Sequence, residues 1–201
     1  VLKLVTEYHE QLNAVNVGTA LHRIASHLKR SRAQRDRVLR DERFAMLIDR
    51  TVARATECNP RSISDVLWAC ATLQHWPPQM LKPTLMQVAK HLESGSFEAQ
   101  HLSITVWALA VLECKPVRLL EQIEQLTLTQ LTSFNPQNCA NVLWGFAKLN
   151  YVPTSLLPAM SARLLEPTFL GRLKPVEVAD AAFAIALVGT GEEQSTLMLA
   201  L

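Results

Sequence analysis

The chain has 201 residues, of which 49% are hydrophobic and 19% charged, and its formal net charge is +2 at pH 7. That balance is typical of a folded protein and excludes an intrinsically disordered chain. No apolar run reaches the roughly 18–20 residues that a helix needs to cross a bilayer, so we expect no membrane span. The chain begins with Val1 and ends on an apolar run, and we therefore expect a fragment of a longer protein.

In chain order, the first unit is a divergent repeat over residues 13–58. Apolar periodicity predicts a first helix over 15–29, with Arg23 at the position where later units carry a tryptophan. A partner helix is predicted over 41–58. Between the two helices, residues 29–43 are predicted to form a basic insertion that includes an arginine-rich loop.

Four further units begin near residues 59, 97, 135 and 173. Aligned without gaps, they place one aromatic residue at a shared position, with steps of 39, 37 and 39 residues between Trp68, Trp107, Trp144 and Phe183. Second helices are predicted over 79–93, 117–133 and 154–170. Self-similarity at such a period is typical of stacked repeats. The sequence therefore predicts an all-α fold, an α-solenoid of antiparallel helix pairs with a period of about 38 residues, extending as one domain over 1–201.

The third of these units carries a family resemblance. Its residues include Pro136–Gln137, Cys139–Ala140–Asn141, Leu143–Trp144, Ala147 and Pro153. This pattern resembles the octotricopeptide repeat, and the related FASTK/RAP-type proteins share a similar repeat. The other units depart from the pattern, and the last one lacks both the glutamine and the tryptophan. The resemblance implies an α-solenoid of a chloroplast or mitochondrion that binds RNA.

Basic residues are concentrated in residues 29–54, where nine basic side chains stand against four acidic ones. Eight of the nine are arginines, whose forked guanidinium groups suit phosphate contacts. We therefore predict that RNA phosphates are held by Arg30, Arg32, Arg35, Arg37, Arg40 and Arg43. The alternative interpretation is a solvated, partly salt-bridged helix face or loop without a ligand.

A second set of polar residues varies at fixed positions near the start of each first helix. Repeat proteins that read RNA one base per repeat use two or three such side chains to bind each base edge. By resemblance to such proteins, the candidates for base contacts are Arg61, Ser62, Asp65, Gln100, His101, Gln137, Asn138, Asn141 and Lys148. Polar residues at helix starts are also caps and solvated turns, and Asn141 can also serve to brace the repeat.

The tryptophans permit two interpretations, base-stacking platforms or parts of the core. We favour the core, because Trp68, Trp107 and Trp144 adjoin the apolar stripe of their helices and Phe183 substitutes without a polar group. This interpretation predicts that Trp144→Ala lowers the free energy of unfolding by about 3–5 kcal/mol.

Motifs for catalysis or metal binding are not recognisable. The sequence holds no H-E-x-x-H, P-loop, G-x-G-x-x-G or nucleophile-elbow motif, so we predict neither an enzyme nor a cofactor. Its cysteines, Cys58, Cys70, Cys114 and Cys139, form no C-x-x-C pair. We therefore predict reduced, structural thiols and no metal site.

Together these patterns and the resemblance predict a non-catalytic organellar protein that holds single-stranded or loop RNA, with ribosomal RNA among its potential targets. The alternative is a structural scaffold subunit of an organellar ribosome or another large assembly, acting mainly through protein contacts. A third hypothesis is an adaptor that holds a helix or peptide in its groove.

Overall fold

The structure is a computed structural model, and it describes residues 1–188. Within these residues it contains α-helices and short 3₁₀ turns but no strand, which confirms the predicted all-α class. The helices are α1 (Leu2–Tyr8), α2 (Ala14–Leu28), α3 (Arg32–Leu39), α4 (Glu42–Arg54), α5 (Pro60–Leu73), α6 (Pro78–Glu93), α7 (Ala99–Val111), α8 (Val117–Gln130), α9 (Pro136–Lys148), α10 (Leu156–Leu164), α11 (Pro167–Leu170) and α12 (Pro175–Val188). The end of the predicted domain, 189–201, lies outside the described residues.

The chain forms two compact units, each larger than one repeat. From here on, the first unit is Val1–Ser94 and the second unit is the chain from Gly95 on. We call α2, α5, α7, α9 and α12 the first helices, and α4, α6, α8 and α10 the second helices. In one unit α2 packs on α5, and in the other α7 packs on α9 and α9 on α12. Each second helix contacts the first helix of its own repeat. The repeated helix pair is therefore confirmed, whereas a single solenoid over 1–201 stays a prediction.

The first helices begin at side-chain caps. The side-chain oxygens of Asn13, Asn59 and Asn135 accept hydrogen bonds from the backbone N–H three residues later, at 2.9, 2.8 and 2.8 Å. These bonds satisfy N–H groups that have no partner within the helix. Since Asn13 and Asn59 are equivalent caps, the ninth helical residue is His22 in α2 and Trp68 in α5. The predicted alignment of Arg23 with the tryptophans was therefore wrong by one residue.

Three first helices end in the same way. Gln74, Glu113 and Asn150 have positive φ angles of 51°, 54° and 50°. The backbone N–H of the residue that follows each of them returns to a carbonyl five residues earlier in the chain, at 2.9 Å in all three cases. This Schellman-type ending closes the helix before the proline-containing turn that leads to the second helix.

Neighbouring first helices approach each other closely at glycine positions. A Cβ atom added to Gly145 of α9 would lie 2.6 Å from Cγ1 and 3.0 Å from the carbonyl oxygen of Val106 in α7. One added to Gly18 of α2 would lie 3.0 Å from the carbonyl oxygen of Ser62 in α5. Residues on facing helices can therefore meet across a short gap, as the small residues of the sequence indicate.

Second helices hold the starts of first helices through buried polar contacts. Arg50 of α4 donates from Nε to the carbonyl oxygen of Leu12 at 3.0 Å. In the same way Gln130 of α8 donates to the carbonyl oxygen of Phe97 at 2.8 Å. Arg50 is only 9% exposed, so one of the nine basic residues in 29–54 serves the fold.

The predicted helix boundaries hold for most second helices. The predictions fail in one second helix and in the segment before α4. Residues 154–170 form two helices, because Pro167 opens α11 after α10 has ended. The predicted arginine-rich loop is wrong: residues 32–39 form α3. Ser31 caps this helix, with its Oγ 3.4 Å from the Gln34 backbone N–H that donates to it, and Arg, Ala, Gln and Leu within it are good helix formers.

Candidate nucleic-acid interface

One ridge of each first helix faces away from the core. The second, sixth, ninth and thirteenth residues of a helix lie within about 60° of one another, because successive residues are about 100° apart. We call the second, sixth and ninth positions of α5, α7, α9 and α12, together with Lys148 at the thirteenth position of α9, the polar–aromatic ridge. In the second unit it comprises Gln100, Ile104 and Trp107 of α7, Gln137, Asn141, Trp144 and Lys148 of α9, and Val176, Asp180 and Phe183 of α12. In α5 of the first unit it comprises Arg61, Asp65 and Trp68.

The aromatic position belongs to this ridge and lies at the edge of the core. Trp68, Trp107 and Trp144 are half-buried and Phe183 is 44% exposed, whereas Phe146 is fully buried. The helical angle explains the difference: Trp144 lies about 160° around α9 from Phe146. The tryptophans therefore combine contact with the core, as the sequence predicts, with access to solvent.

A polar pocket of about 210 Å³ lies between the N-terminal ends of α7 and α9. It is lined by Gln100, Ser103, Ile104, Asn135, Gln137, Asn138 and Asn141. Four of the nine base-contact candidates therefore meet in one place, although most of α7 and all of α8 separate Gln100 from the other three in the sequence. The repeat period brings them together because it stacks equivalent helix starts side by side.

Two residues of the pocket are held in place by their own hydrogen bonds. The Asn138 side chain is 7% exposed and donates from Nδ2 to Ser103 Oγ at 2.9 Å. Its Oδ1 accepts the backbone N–H of Asn135 at 3.2 Å. Ser103 Oγ in turn donates to the carbonyl oxygen of Gln100 at 3.0 Å. Asn138 thus joins α9 to α7 and has little capacity left for a ligand.

Three amide side chains of the pocket have their hydrogen-bonding groups available. Within residues 1–188 the side chains of Gln100, Gln137 and Asn141 make no hydrogen bond to the protein. Each offers a carbonyl acceptor and two N–H donors in a fixed plane. The N-terminal ends of α7 and α9 add partial positive charge to the same space. The pocket therefore suits a neutral, planar ligand group that presents both donors and acceptors.

The third helical residue has a capping role in several first helices. His101 Nδ1 accepts the backbone N–H of Glu98 at 3.1 Å. Ser62 is 4% exposed, and its backbone N–H donates to Asn59 Oδ1. Together with Asn138, these predicted base contacts lie at helix caps rather than on the ridge, as the alternative interpretation expected.

The remaining candidates lie on the ridge but outside the pocket. Arg61 and Lys148 are exposed, and Asp65 is half-buried. On α12 the equivalent of Asn141 is Asp180, where burial and then the charge of Glu177 raise the pKa of the carboxyl. The ridge thus changes from neutral amides on α7 and α9 to an acidic position on α12.

The six arginines of the predicted phosphate site all lie in the first unit, and they differ in availability. Arg43 forms a forked pair with Asp41 at 2.8 and 2.6 Å, and the hydrogen bond from its side chain lowers the pKa of Asp41 to about 2. Arg32 and Arg35 lie 4.0 and 3.8 Å from the Asp36 carboxylate. The other three are exposed and form no ion pair within the described part of the chain: Arg30, Arg37 and Arg40.

Metal-ligating side chains do not converge in the residues that the structure describes. Among residues 1–188 no three His, Cys, Asp or Glu side chains are grouped so that they could hold a metal ion. Burial raises the pKa of Cys70 and of Cys139 to about 12, which keeps both thiols protonated and unreactive at neutral pH. No helix over the same residues has the length and apolar character that a bilayer span requires.

Three residues of the pocket were not predicted as ligand contacts. They are Ser103, Ile104 and Asn135. Ser103 could have been found from its spacing, because it lies three residues after Gln100 and faces the next first helix. The pairing of this residue with Asn138 requires the packing of α7 on α9, which the sequence does not specify.

The fold and the pocket define an all-α protein of repeated helix pairs with a polar pocket between two repeats. The chain is similar to a protein of Oryza sativa subsp. japonica described as "RAP domain-containing protein, chloroplastic", with 28% identity over 155 residues. The matched region covers 74% of this chain and 24% of that protein, so the chain spans about a quarter of its relative's length. No family model matches the chain. The similarity supports the resemblance to RAP-type proteins, and the octotricopeptide assignment stays a prediction.

Proposed function

We propose that this protein binds single-stranded RNA without catalysing a reaction, and that nucleobases bind along the polar–aromatic ridge of α7 and α9. The observation that carries the proposal is the pocket between these helices. Its available amides come from Gln100, Gln137 and Asn141, and Asn138 and Ser103 hold the two helices in register. Amide groups can pair with a base edge because they fix the directions of one acceptor and two donors.

The pocket favours a base over a phosphate as its occupant. Its lining contains no lysine or arginine, and its polar side chains are neutral. A phosphate needs charge-assisted contacts to replace its hydration, whereas a base needs matched donors and acceptors. Lys148 lies further along the same ridge and can contact the backbone that joins successive nucleotides.

Phosphate contacts are assigned to the exposed arginines of the first unit. Arg30, Arg37 and Arg40 form no ion pair within the described residues and can bind phosphates without breaking one, although the charge of Arg37 contributes to the lowered pKa of Asp41. Arg43 would first have to leave Asp41, so it contributes less. This division narrows the predicted phosphate site from six arginines to three.

A chloroplast is the proposed location, and the proposed class is an octotricopeptide-like relative of RAP-type RNA-binding proteins. Two observations support this: the similarity to a chloroplastic RAP domain-containing protein and the motif residues around Trp144. A mitochondrial location, which the repeat pattern equally implies, is the alternative. Expression of a fluorescent fusion of the full-length protein in plant cells would distinguish the two organelles.

The proposal is tested by fluorescence-anisotropy titration of the protein with labelled random-sequence single-stranded RNA at low and at raised salt. One variant combines Arg30→Gln, Arg37→Gln and Arg40→Gln. A matched control combines Lys82→Gln, Arg118→Gln and Arg172→Gln, which removes the same charge from exposed positions elsewhere.

Specific arginine contacts predict weaker binding and a shallower salt dependence for the first variant only. Each lost phosphate contact should reduce the slope of log K against log salt by about 0.7. Equal losses in both variants would indicate a general charge effect, and the phosphate assignment would then be wrong. If the unmodified protein binds no RNA at either salt concentration, the proposed function itself is wrong.

The second candidate function is a scaffold subunit of an organellar ribosome or another large assembly. It is favoured by apolar side chains that remain exposed on α1, where Leu4 and Tyr8 are 56% and 46% exposed. Beside them lies a largely apolar pocket of about 280 Å³, to which Leu4, Leu12 and Arg23 contribute. Absence of RNA binding, combined with co-purification of the full-length protein with organellar ribosomes, would favour this function.

A further inference from the structure

The ninth position of the first helices combines an aromatic ring with access to solvent. Trp107 and Trp144 are half-buried on α7 and α9, two consecutive first helices of the second unit. Phe183 follows on α12, the next first helix, with 44% exposure. Large aromatic side chains contribute most to stability when they are fully buried. Core packing alone therefore does not explain why a solvent-accessible ring recurs at the same position of successive first helices.

The indole N–H groups of Trp107 and Trp144 differ in their surroundings from that of Trp76. The Trp76 indole N–H, in the turn between α5 and α6, is buried without a partner. The indole N–H groups of Trp107 and Trp144 make no hydrogen bond to the described part of the chain, yet they are not buried. They therefore reach the surface. The N–H edge of each ring is thus accessible to a ligand.

The two units differ in how these rings are covered. In the first unit His22 lies against Trp68, with ring centroids 4.4 Å apart and planes inclined by 34°. In the second unit, over its described residues, Trp107, Trp144 and Phe183 make no ring contact with one another. Over its described residues, the second unit therefore lacks at Trp107 and Trp144 the ring contact that Trp68 makes in the first.

The neighbours of Trp144 on the ridge match the parts of a nucleotide. Asn141 lies one turn before it and carries an available amide, and Lys148 lies one turn after it and is exposed. A base on the indole face would thus have a hydrogen-bonding group at its edge and a cation near its backbone. Aromatic platforms combined with cations are the arrangement by which proteins hold single strands.

We propose that Trp107 and Trp144 are stacking surfaces for unstacked bases of single-stranded RNA, an inference that rests on the proposed function. Phe183 extends the same row on α12. A base can reach these rings only after it has left its neighbours in a helix, so the ligand is a single strand or a loop and not a duplex. Stacking accepts every base, and the selection among bases falls to the amides of the adjacent pocket.

The test compares four single variants of the whole chain by anisotropy titration with random-sequence single-stranded RNA. The variants are Trp107→Leu, Trp144→Leu, Trp144→Phe and the off-ridge control Trp76→Leu. Loss of a stacking surface should weaken binding by about 5- to 150-fold in the first two. The phenylalanine variant should bind within about threefold of the unmodified protein, because a ring remains available. Circular dichroism at the titration temperature verifies that each variant is folded.

Salt dependence supplies a readout that a structural role would not produce. Leucine at Trp144 should lower affinity at every salt concentration without changing the slope, since the phosphate contacts are intact. Wild-type affinity in a folded Trp144→Leu protein would overturn the inference and leave RNA binding standing. So would a Trp144→Phe protein that loses as much affinity as the leucine variant. If the unmodified protein fails to bind RNA, both the proposed function and this inference are wrong.

Discussion

The arginine segment of the first unit and the polar–aromatic ridge of the second unit present two kinds of RNA-binding candidate. In the segment, residues 30–43, the side chains are neighbours in sequence, yet half of the arginines lie beside Asp36 or Asp41. On the ridge, Gln100 and Gln137 are far apart in sequence but line one pocket. Residues close in sequence thus form ion pairs with one another in the segment. On the ridge, the repeat brings distant amide side chains into one pocket.

This difference has a physical cause. Acidic residues close in sequence to the arginines neutralise them locally. Asp36 lies four residues after Arg32 and directly after Arg35, and Asp41, the cap of α4, lies two residues before Arg43. Equivalent residues on stacked helices are brought together by the period itself, and no opposing charge stands between them on α7 and α9. A count of basic residues therefore overestimates how many arginines of the segment are available to RNA. Inspection of one helix at a time underestimates how many polar side chains of the ridge come together.

The largest expected effect distinguishes the ridge from the core that supports it. Phe146→Ala should lower the free energy of unfolding by about 3–5 kcal/mol, because the ring is 0% exposed and its loss leaves a cavity. Trp144→Ala should cost only about 1–2 kcal/mol, since the half-buried ring already contacts solvent. Urea denaturation of both proteins measures the difference. Equal losses would return Trp144 to the core and contradict its position on the ridge.

The next effect tests whether the ridge depends on close helix packing. Gly145→Ala should cost about 1–3 kcal/mol, because its Cβ would lie 2.6 Å from a stiff, β-branched side chain and 3.0 Å from a backbone oxygen of Val106. Gly171→Ala is the matched control. Gly171 has a φ of −67°, and an added Cβ would meet only Pro167 O, at 3.5 Å.

The control should change stability by no more than about 0.5–1 kcal/mol, and in the stabilising direction. Thermal denaturation followed by circular dichroism compares the two variants. A Gly145→Ala protein as stable as the Gly171→Ala protein would show that α7 and α9 can separate without cost, and the pocket geometry would then be in doubt.

A third effect sharpens the contrast between base and phosphate contacts. The double variant Gln137→Ala and Asn141→Ala should lose about 1–3 kcal/mol of RNA-binding free energy, because two of the three available amides of the pocket are removed. Its salt dependence should match that of the unmodified protein. Anisotropy titrations across a salt series measure both quantities. A reduced salt slope in this variant would mean that the pocket binds phosphate.

The smallest effect lies within the arginine segment. Arg37→Gln should reduce the salt slope of RNA binding by about 0.7, the value expected for one phosphate contact to a single strand. Arg43→Gln should leave the slope unchanged, because this guanidinium is already engaged by Asp41 at 2.6 Å. The same titrations compare the two variants. Equal reductions would show that the Asp41 pair opens when RNA binds.

Most of the helical organisation could be predicted because local signals agreed with one another. Asn135, Pro136 and Pro153 specify the start and the end of α9 through capping and the missing proline N–H. The segment 31–40 was misassigned because the 45 residues from Arg23 to Trp68 exceed the repeat period and indicated an inserted loop. Helix propensity and the Ser31 cap prevailed there over the lack of an apolar stripe.

The candidate site could be predicted only in part. The ridge through Gln137, Asn141 and Lys148 follows from helical spacing, and the structure places all three along it. Trp144 was assigned to the core because it adjoins apolar residues in sequence, although the helical angle puts it on the ridge. The hydrogen bond between Asn138 and Ser103 depends on how two helices pack, and a single helix carries no signal of that contact.

The most direct test of RNA binding along the ridge is photocrosslinking to single-stranded RNA that contains 4-thiouridine, followed by mass spectrometry of tryptic peptides. The ridge of α7 and α9 lies in the tryptic peptides 91–118 and 119–148. Crosslinks in both peptides, centred on Trp107, Trp144 and the pocket amides and removed by unlabelled RNA, are the predicted result. Crosslinks confined to residues outside the ridge would contradict the account.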